Sequence, residues 1–154
     1  MSDEKRFTLQ LEQLDGYEFR VSFDLDSIDD LVVDEPPPLG NANGPNPSRL
    51  LATAAANCLS ASLLYCISKN APPGGSLRAS AECTLSRNDK GRMRIGGIDV
   101  TLELNGELEQ SLRTRRCLEL YEDFCVVTAS LREGFPISAR VVNEQGETLH
   151  QSHG

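Results

Sequence analysis

The chain has 154 residues, a formal net charge of -8 at pH 7, and contains 39% hydrophobic and 25% charged residues. This length and composition predict a soluble globular protein with a single domain, residues 1–154. The acidic balance provides no basic face for phosphates, which argues against a nucleic-acid-binding protein. The N-terminus is charged and has no apolar stretch behind it, which predicts a cytoplasmic protein without a secretion signal.

The N-terminal third of the chain predicts three strands and a loop. Alternating apolar residues indicate strands over residues 7–12 and 17–23, joined by an Asp-Gly turn. A shorter strand is predicted at residues 31–33. The stretch that follows, residues 34–45, is rich in proline and glycine and therefore predicts a structured loop.

The longest uncharged stretch of the chain predicts a central helix from Asn46 to about Asn70. Asn46 is a favoured N-cap residue, and Pro47 suits the first helical position because an amide hydrogen has no helical partner there. The 19 uncharged residues between Arg49 and Lys69 are numerous enough to cross a bilayer. Several are alanine, serine, threonine or asparagine, so we favour a buried helix in a soluble core over a membrane span.

The rest of the chain predicts a long hairpin, a charged helix, an extended segment and a final hairpin, at residues 77–104, 107–124, 126–131 and from 135 onward. We expect the long hairpin to break at Gly96-Gly97 and the tail from about Gln151 to be frayed. This order predicts an α+β fold with mainly antiparallel sheet. An apolar central helix is difficult to cover with one small sheet, which predicts a homodimer.

The five cysteines lack the regular spacing of a secreted disulfide framework, which predicts mostly reduced thiols. Cys58 lies too far along the helix for the helix dipole to acidify it, so a cation would have to do so, and Arg20 and Arg49 are the candidates. A structural role for Cys58 is the alternative, because free cysteines are often buried. Three further cysteines are interpreted as core residues, namely Cys66, Cys83 and Cys117.

Other chemistry has little support in the sequence. It contains no Cys-x-x-Cys pair, no glycine-rich phosphate loop and no Gly-x-Ser-x-Gly turn. His150 and His153 stand near the C-terminus without partners in a rigid element. We therefore interpret them as solvated side chains and not as metal ligands.

Two separate segments resemble the OsmC/Ohr family. Residues 44–59, which contain Cys58, look like the central helix of that family, and residues 34–40 look like the loop before it. Residues 123–131, which contain Cys125, look like the second cysteine region of the family. The order of strands and helices also agrees over nearly the whole chain.

The resemblance implies an intertwined homodimer in which two sheets wrap around the central helices. It also implies a thiol peroxidase, in which Cys58 attacks an organic hydroperoxide and becomes a sulfenic acid. Cys125 would then resolve this acid as a disulfide, and a dithiol reductant would reset the enzyme. No metal, flavin or haem is implied.

The family also has an arginine beside the reactive cysteine, which we place at Arg20. Ser48 stands where the family peroxidases carry a glutamate that holds this arginine, and Val126 stands where they carry a proline. The alternative is a non-enzymatic OsmC-like dimer that binds a small apolar ligand, with Cys58 and Cys125 as structural residues. A redox sensor that uses the same disulfide is a third reading.

Overall fold

The computed structural model describes residues 3–69 and 74–153. The elements, in chain order, are β1 (Gln10–Asp15), β2 (Glu18–Ser22), β3 (Leu31–Val33), α1 (Pro47–Ser68), β4 (Leu77–Arg87), β5 (Met93–Leu104), α2 (Gly106–Glu109), α3 (Thr114–Leu120), a 3₁₀ turn (Tyr121–Phe124), α4 (Val126–Glu133), β6 (Ala139–Val142) and β7 (Thr148–Ser152). The predicted α+β class with antiparallel pairing and a central helix is confirmed.

The chain forms two compact units. One consists of Met1–Ala54 and Ala81–Val100, and the other of Ala55–Ser80 and Thr101–Gly154. The first unit contains the three-stranded sheet β1-β2-β3, and the second contains the helices α2 to α4 and the hairpin β6-β7. The central helix α1 and both strands of the β4-β5 pair contribute residues to each unit.

The first hairpin follows the predicted pattern with a shift in its start. β1 begins at Gln10, so the alternating residues before it are not part of the strand, and Phe7 among them is 90% exposed. Gly16 has a φ of +58°, a left-handed conformation that favours glycine and allows the tight turn into β2. β2 then pairs with β3, at the predicted residues.

The loop after β3 is organised by one buried carboxylate. Asp34 accepts hydrogen bonds from the backbone N–H groups of Glu35, Asn41 and Asn43, at 2.8, 3.1 and 3.1 Å. These bonds, the one from Asn43 foremost, hold the pKa of Asp34 below its ordinary value, although burial raises it. The predicted structured loop is confirmed, because its backbone amides converge on Asp34.

The central helix begins as predicted. The Asn46 side chain accepts the backbone N–H of Arg49 at 3.0 Å, which confirms Asn46 as the N-cap. The helix continues to Ser68, and its predicted end at Asn70, with the prolines that follow, lies outside the described residues. Within residues 3–69 and 74–153, α1 is long and apolar enough to cross a membrane, a test that the core helix of a soluble protein also passes.

The second unit has its own apolar core. Leu63, Cys66 and Ile67 of α1 pack with Leu108 and Cys117, and partly buried side chains of β4, β5 and the 3₁₀ turn cover this cluster. The strand β5 runs through both central glycines, so the predicted break at residues 96–97 is wrong.

The charged region after β5 is not the single helix that we predicted for residues 107–124. It divides into α2, α3 and the 3₁₀ turn. The buried Thr114 hydroxyl donates to the Leu108 carbonyl at 2.6 Å, and the Asn105 side chain accepts the N–H of Leu108 at 3.0 Å. Hydrogen bonds from side chains to the backbone therefore end one short helix and begin the next. The apolar face of this region alone had indicated one continuous helix.

The segment after Cys125 is helical, and the predicted extended conformation is wrong. The Val-Val-Thr run is typical of a strand, but the carbonyl of Cys125 accepts the N–H of Ala129 at 3.1 Å and begins α4. β6 is confined to Ala139–Val142, shorter than predicted. The tail is paired and not frayed at Gln151, because Gln151 lies opposite Arg140 in the last hairpin.

Candidate thiol site

Three side chains at four-residue steps define one stripe of α1, namely Cys58, Ser62 and Cys66. Residues four apart on a helix lie on the same side, one above the other. The stripe meets the segment between Cys117 and Cys125, which runs from α3 into the start of α4. Cys66 pairs with Cys117 and Cys58 meets Cys125, so the members of the two pairs are eight residues apart on both segments.

Cys66 and Cys117 form a disulfide, with their Cα atoms 5.7 Å apart. Both are buried in the apolar core of the second unit, which confirms their interpretation as core residues. The expectation of reduced thiols is wrong for this pair. The packing of α3 against the end of α1 brings the two sulfur atoms together, and Arg113 adds a hydrogen bond from Nε to the Cys66 carbonyl at 3.2 Å.

Cys58 and Cys125 are free thiols with different access to solvent. Cys58 is half-buried on α1, whereas Cys125 is 0% exposed. Cys125 takes the extended conformation of an N-cap residue, with φ -81° and ψ 100°, at the start of α4. Its sulfur therefore lies at the positive end of an eight-residue helix, where a negative charge is stabilised.

The groups around the Cys125 sulfur favour its thiolate form. Burial raises the pKa of Cys125, but hydrogen bonds outweigh it and leave the pKa below its ordinary value. The polar groups that lower it are the hydroxyl and the backbone N–H of Thr128, the thiol of Cys58 and the hydroxyl of Ser62. Two of these four groups come from the stripe of α1, so Cys58 lies near Cys125.

Two charged side chains and a tyrosine complete the surroundings of Cys125. Arg132 of α4 forms an ion pair with Glu122 at 2.7 Å, and the Arg132 charge attracts a thiolate at Cys125. Burial raises the pKa of Tyr121, and the charge of Glu122 raises it further. The sequence analysis missed all three residues, because Arg132 lies on a different helix from Tyr121 and Glu122. Only the proximity of Tyr121 and Glu122 to Cys125 along the chain could have indicated two of them.

The other candidate residues belong to other segments of the chain. Arg20 is exposed on β2, opposite Glu12 of β1, and makes no ion pair with any carboxylate in the described part of the chain. Its role at Cys58 stays a prediction. Cys83 is half-buried on β4 and does not belong to the buried core, so its interpretation as a core residue is wrong. Both histidines are exposed, as expected. No group of three or more metal-ligating side chains occurs among residues 3–69 and 74–153.

The family described as OsmC-like protein matches residues 40–140, which include both pairs of cysteines. This chain belongs to the OsmC-like family. The resemblance seen in the sequence is thereby confirmed. Arg20 lies outside the matched region of this OsmC-like chain, whereas Cys58, Cys125 and Thr128 lie inside it.

Solved structures show the same fold. An OsmC-like protein of unknown function from Vibrio cholerae is 14% identical, with a TM-score of 0.64, 82% of this chain and 94% of that chain being covered. An organic hydroperoxide resistance protein OsmC from Legionella pneumophila is 14% identical, with a TM-score of 0.62 and coverage of 85% and 92%. The organic hydroperoxide resistance protein OhrB of Bacillus subtilis is 16% identical, with a TM-score of 0.56 and coverage of 82% and 90%. No curated protein sequence matches the OsmC-like chain.

Proposed function

We propose that this OsmC-like protein is a cysteine-based thiol peroxidase that reduces organic hydroperoxides. The observation that carries the proposal is the proximity of Cys58 and Cys125, two free thiols on separate elements. Family membership adds support, since two of the similar solved structures are named organic hydroperoxide resistance proteins. The site requires no metal, flavin or haem for this chemistry.

The solvent exposure of the two cysteines assigns a different role to each. The half-buried Cys58 can be reached by a substrate, whereas the fully buried Cys125 can be reached by its neighbours in the protein. Cys58 is therefore the peroxidatic residue in this proposal, and Cys125 is the resolving residue. Arg20 is kept as the proposed cation that activates Cys58.

The reaction balances over three steps. The Cys58 thiolate attacks the terminal oxygen of the hydroperoxide, the O–O bond breaks, and the departing alkoxide takes a proton and leaves as the alcohol. The Cys125 thiolate then attacks the sulfur of the Cys58 sulfenic acid; the S–S bond forms, the S–O bond breaks, and hydroxide leaves as water after protonation. A dithiol reductant returns two electrons and two protons and becomes a disulfide itself.

A count of free thiols tests this proposal. The protein as described has three free thiols, at Cys58, Cys83 and Cys125, so one equivalent of an alkyl hydroperoxide should leave one. Cys58→Ser should start with two thiols and keep both. Cys83→Ser is the matched control, which should start with two and lose both at the rate of the unsubstituted protein.

The opposite outcome identifies the alternative function. Unchanged thiols in excess hydroperoxide would contradict the peroxidase and favour the OsmC-like dimer that binds a small apolar ligand. A slow loss that is insensitive to Cys58→Ser would indicate nonspecific oxidation and would contradict it equally.

The proposal includes a cytoplasmic homodimer. The incomplete burial of α1 supports the homodimer. Within one chain, 39% of the most apolar 18-residue stretch of this helix is buried, and Tyr65 of α1 is 67% exposed. A second copy would cover apolar surface that one chain leaves open. Sedimentation equilibrium should give twice the mass of the chain, and a stable monomer would contradict this part of the proposal.

A further inference from the structure

The tip of the long hairpin β4-β5 has the opposite charge to the rest of the chain. The chain contains 23 acidic and 15 basic residues, whereas residues 87–94 contain one carboxylate and four cations. The four cations are Arg87, Lys90, Arg92 and Arg94. Residues 87–94 are all exposed and all belong to the first unit. An acidic protein that presents one compact basic surface provides a local field that attracts anions.

A cavity of about 350 Å³ opens at this hairpin tip. Its lining consists of Asn88, Asp89, Lys90, Arg92 and Arg94. A cavity of this size suits a small molecule, but most ligand cavities are lined by apolar side chains, so this one suits a charged ligand. Three cations and one carboxylate give the lining a net charge of +2. A phosphate ester, which carries nearly two negative charges at pH 7, matches that charge.

The backbone of the hairpin tip is fixed by its own hydrogen bonds. The Asn88 side chain accepts the backbone N–H groups of Lys90 and Arg92, both at 3.0 Å. Gly91 has a φ of +73°, and its carbonyl accepts a hydrogen bond from the Arg87 guanidinium at 2.7 Å. The turn that carries the cations is therefore ordered before any ligand binds, which lowers the entropic cost of binding.

The side-chain donors of the three lining cations remain available to a ligand. Within residues 3–69 and 74–153, neither Lys90, Arg92 nor Arg94 forms an ion pair. Arg94 uses one N–H group, which donates to the Met93 carbonyl at 2.8 Å. Arg92 and Arg94 are two residues apart at the start of β5, so their side chains leave the hairpin on the same face. Two guanidinium groups on one face match the oxygens of a phosphate group, which they bind in pairs.

We propose that the tip of the long hairpin binds a small organic phosphate. Arg92 and Arg94 hold the phosphate oxygens, and Lys90 adds the third positive charge. Asn88 and Asp89 face the remainder of the ligand, where Asp89 accepts hydrogen bonds from its hydroxyl groups. This site goes beyond the proposed peroxidase and is independent of it, since Cys58 and Cys125 belong to the second unit.

The first experiment measures the affinity of the full chain for glycerol 3-phosphate by calorimetric titration at low ionic strength. Arg92→Gln and Arg94→Gln should each weaken binding about tenfold, because each removes charged hydrogen bonds to the phosphate. Arg94→Lys keeps the charge but loses the paired geometry, so it should weaken binding less. No binding to the unsubstituted protein would overturn the inference.

Arg78→Gln is the matched control for the two arginine variants. Arg78 is exposed on the same strand β4 but lies far along it from the turn, and its replacement changes the net charge equally. This control should leave the affinity unchanged. Equal weakening in Arg78→Gln and Arg92→Gln would show that net charge alone attracts the anion and would overturn the inference.

Asp89→Asn tests the site by a gain of affinity, which a misfolded variant cannot produce. It removes the carboxylate of the lining, so it should tighten the binding of glycerol 3-phosphate about threefold at low ionic strength. The gain should disappear in high salt. Unchanged or weaker binding in Asp89→Asn would contradict the placement of the phosphate beside this residue and overturn the inference.

Two further titrations identify the source of the phosphate group. Inorganic phosphate should bind more weakly than glycerol 3-phosphate, because it lacks the hydroxyl groups that face Asp89. Equal affinity for both would indicate an unspecific anion site and overturn the inference. Binding to vesicles of phosphatidic acid in phosphatidylcholine without binding of the soluble ester would indicate a membrane surface and overturn it too.

The test is separate from that of the peroxidase. Arg92→Gln should still lose two thiols after one equivalent of alkyl hydroperoxide, as the unsubstituted protein should. If the unsubstituted protein loses no thiols, the proposed function fails, while the titrations with glycerol 3-phosphate still decide whether the hairpin tip binds an organic phosphate.

Discussion

The two cysteine pairs occupy equivalent positions on the same two segments but have opposite surroundings. Around the Cys66–Cys117 disulfide the neighbours are leucine and isoleucine side chains of the core. Around Cys58 and Cys125 they are the hydroxyls of Ser62 and Thr128 and the first turn of a helix. The first pair is a disulfide with apolar neighbours (a closed pair), whereas the second consists of two free thiols with polar neighbours (an open pair).

This difference shows that position along a helix does not decide what a cysteine does. Apolar neighbours raise the cost of a thiolate, and a disulfide carries no charge, so a closed pair suits a core. Hydroxyls and a helix N-terminus lower the cost of a thiolate, so an open pair beside them is suited to exchange. We therefore expect the first pair to stabilise the fold and the second to perform the chemistry.

The largest expected effect is on stability. Replacing Cys66 and Cys117 together by alanine should lower the free energy of unfolding by about 4 kcal/mol, because the disulfide closes a long loop of the unfolded chain. The sequence separation of the pair is 51 residues. Urea denaturation of the oxidised proteins measures the change.

The matched variant replaces Cys58 and Cys125 by alanine. It removes two free thiols from the same pair of segments and should cost no more than about 2 kcal/mol. Equal losses in the two double variants would break the distinction between a structural and a chemical pair.

A second effect concerns the order in which the two pairs are reduced. After treatment with hydroperoxide, a dithiol reductant should open the Cys58–Cys125 disulfide at least about tenfold faster than the Cys66–Cys117 disulfide, because attack requires access to a sulfur atom. Cys58 is half-buried, whereas Cys66 and Cys117 are both buried. Alkylation at timed intervals followed by mass spectrometry gives both rates, and simultaneous opening would contradict the expectation.

The smallest expected effect is the pH dependence of the stability that the Asp34 carboxylate provides. The pKa of Asp34 lies below that of the unfolded chain, mainly because of the Asn43 N–H, so its carboxylate stabilises the fold above the ordinary value of 3.8. That contribution is lost as the pH falls through the folded-state pKa. Asp34→Asn should therefore lower the melting temperature at neutral pH, and the difference should shrink below pH 3.8.

Thermal unfolding of the two proteins across this pH range measures the effect. Asp29→Asn, at an exposed carboxylate in the same unit, serves as the control and should show no such convergence. A constant difference at all pH values would mean that the charge of Asp34 does not stabilise its loop.

The sequence predicted the elements that have local signals. The N-cap at Asn46, the Asp-Gly turn and the long hairpin all follow from residues that are neighbours in the chain. The start of α4 could not be predicted, because three β-branched residues after Cys125 favour a strand by propensity alone. Its helical state depends on tertiary packing, which overrides propensity.

The candidate site was predicted only in part, because it too depends on contacts between residues that are distant in the chain. The two segments around Cys58 and Cys125 could be recognised, but the Cys66–Cys117 disulfide joins residues of separate elements, and spacing alone does not define connectivity. Thr128 and Ser62 have no signal in the sequence, since serine and threonine occur throughout helices and turns. Their significance depends on which atoms they face.

The equal spacing of the two cysteine pairs constrains the lengths of both segments. Inserting one residue into α1 between Cys58 and Cys66 would turn the later cysteine by about 100° around the helix axis relative to the earlier one. An insertion between Cys117 and Cys125 would shift the partner segment without moving α1. A loop can accept an insertion or a deletion, but in either of these two segments such a change would separate one of the two cysteine pairs. We therefore expect natural variants to differ in the side chains of these segments and to keep the length of both.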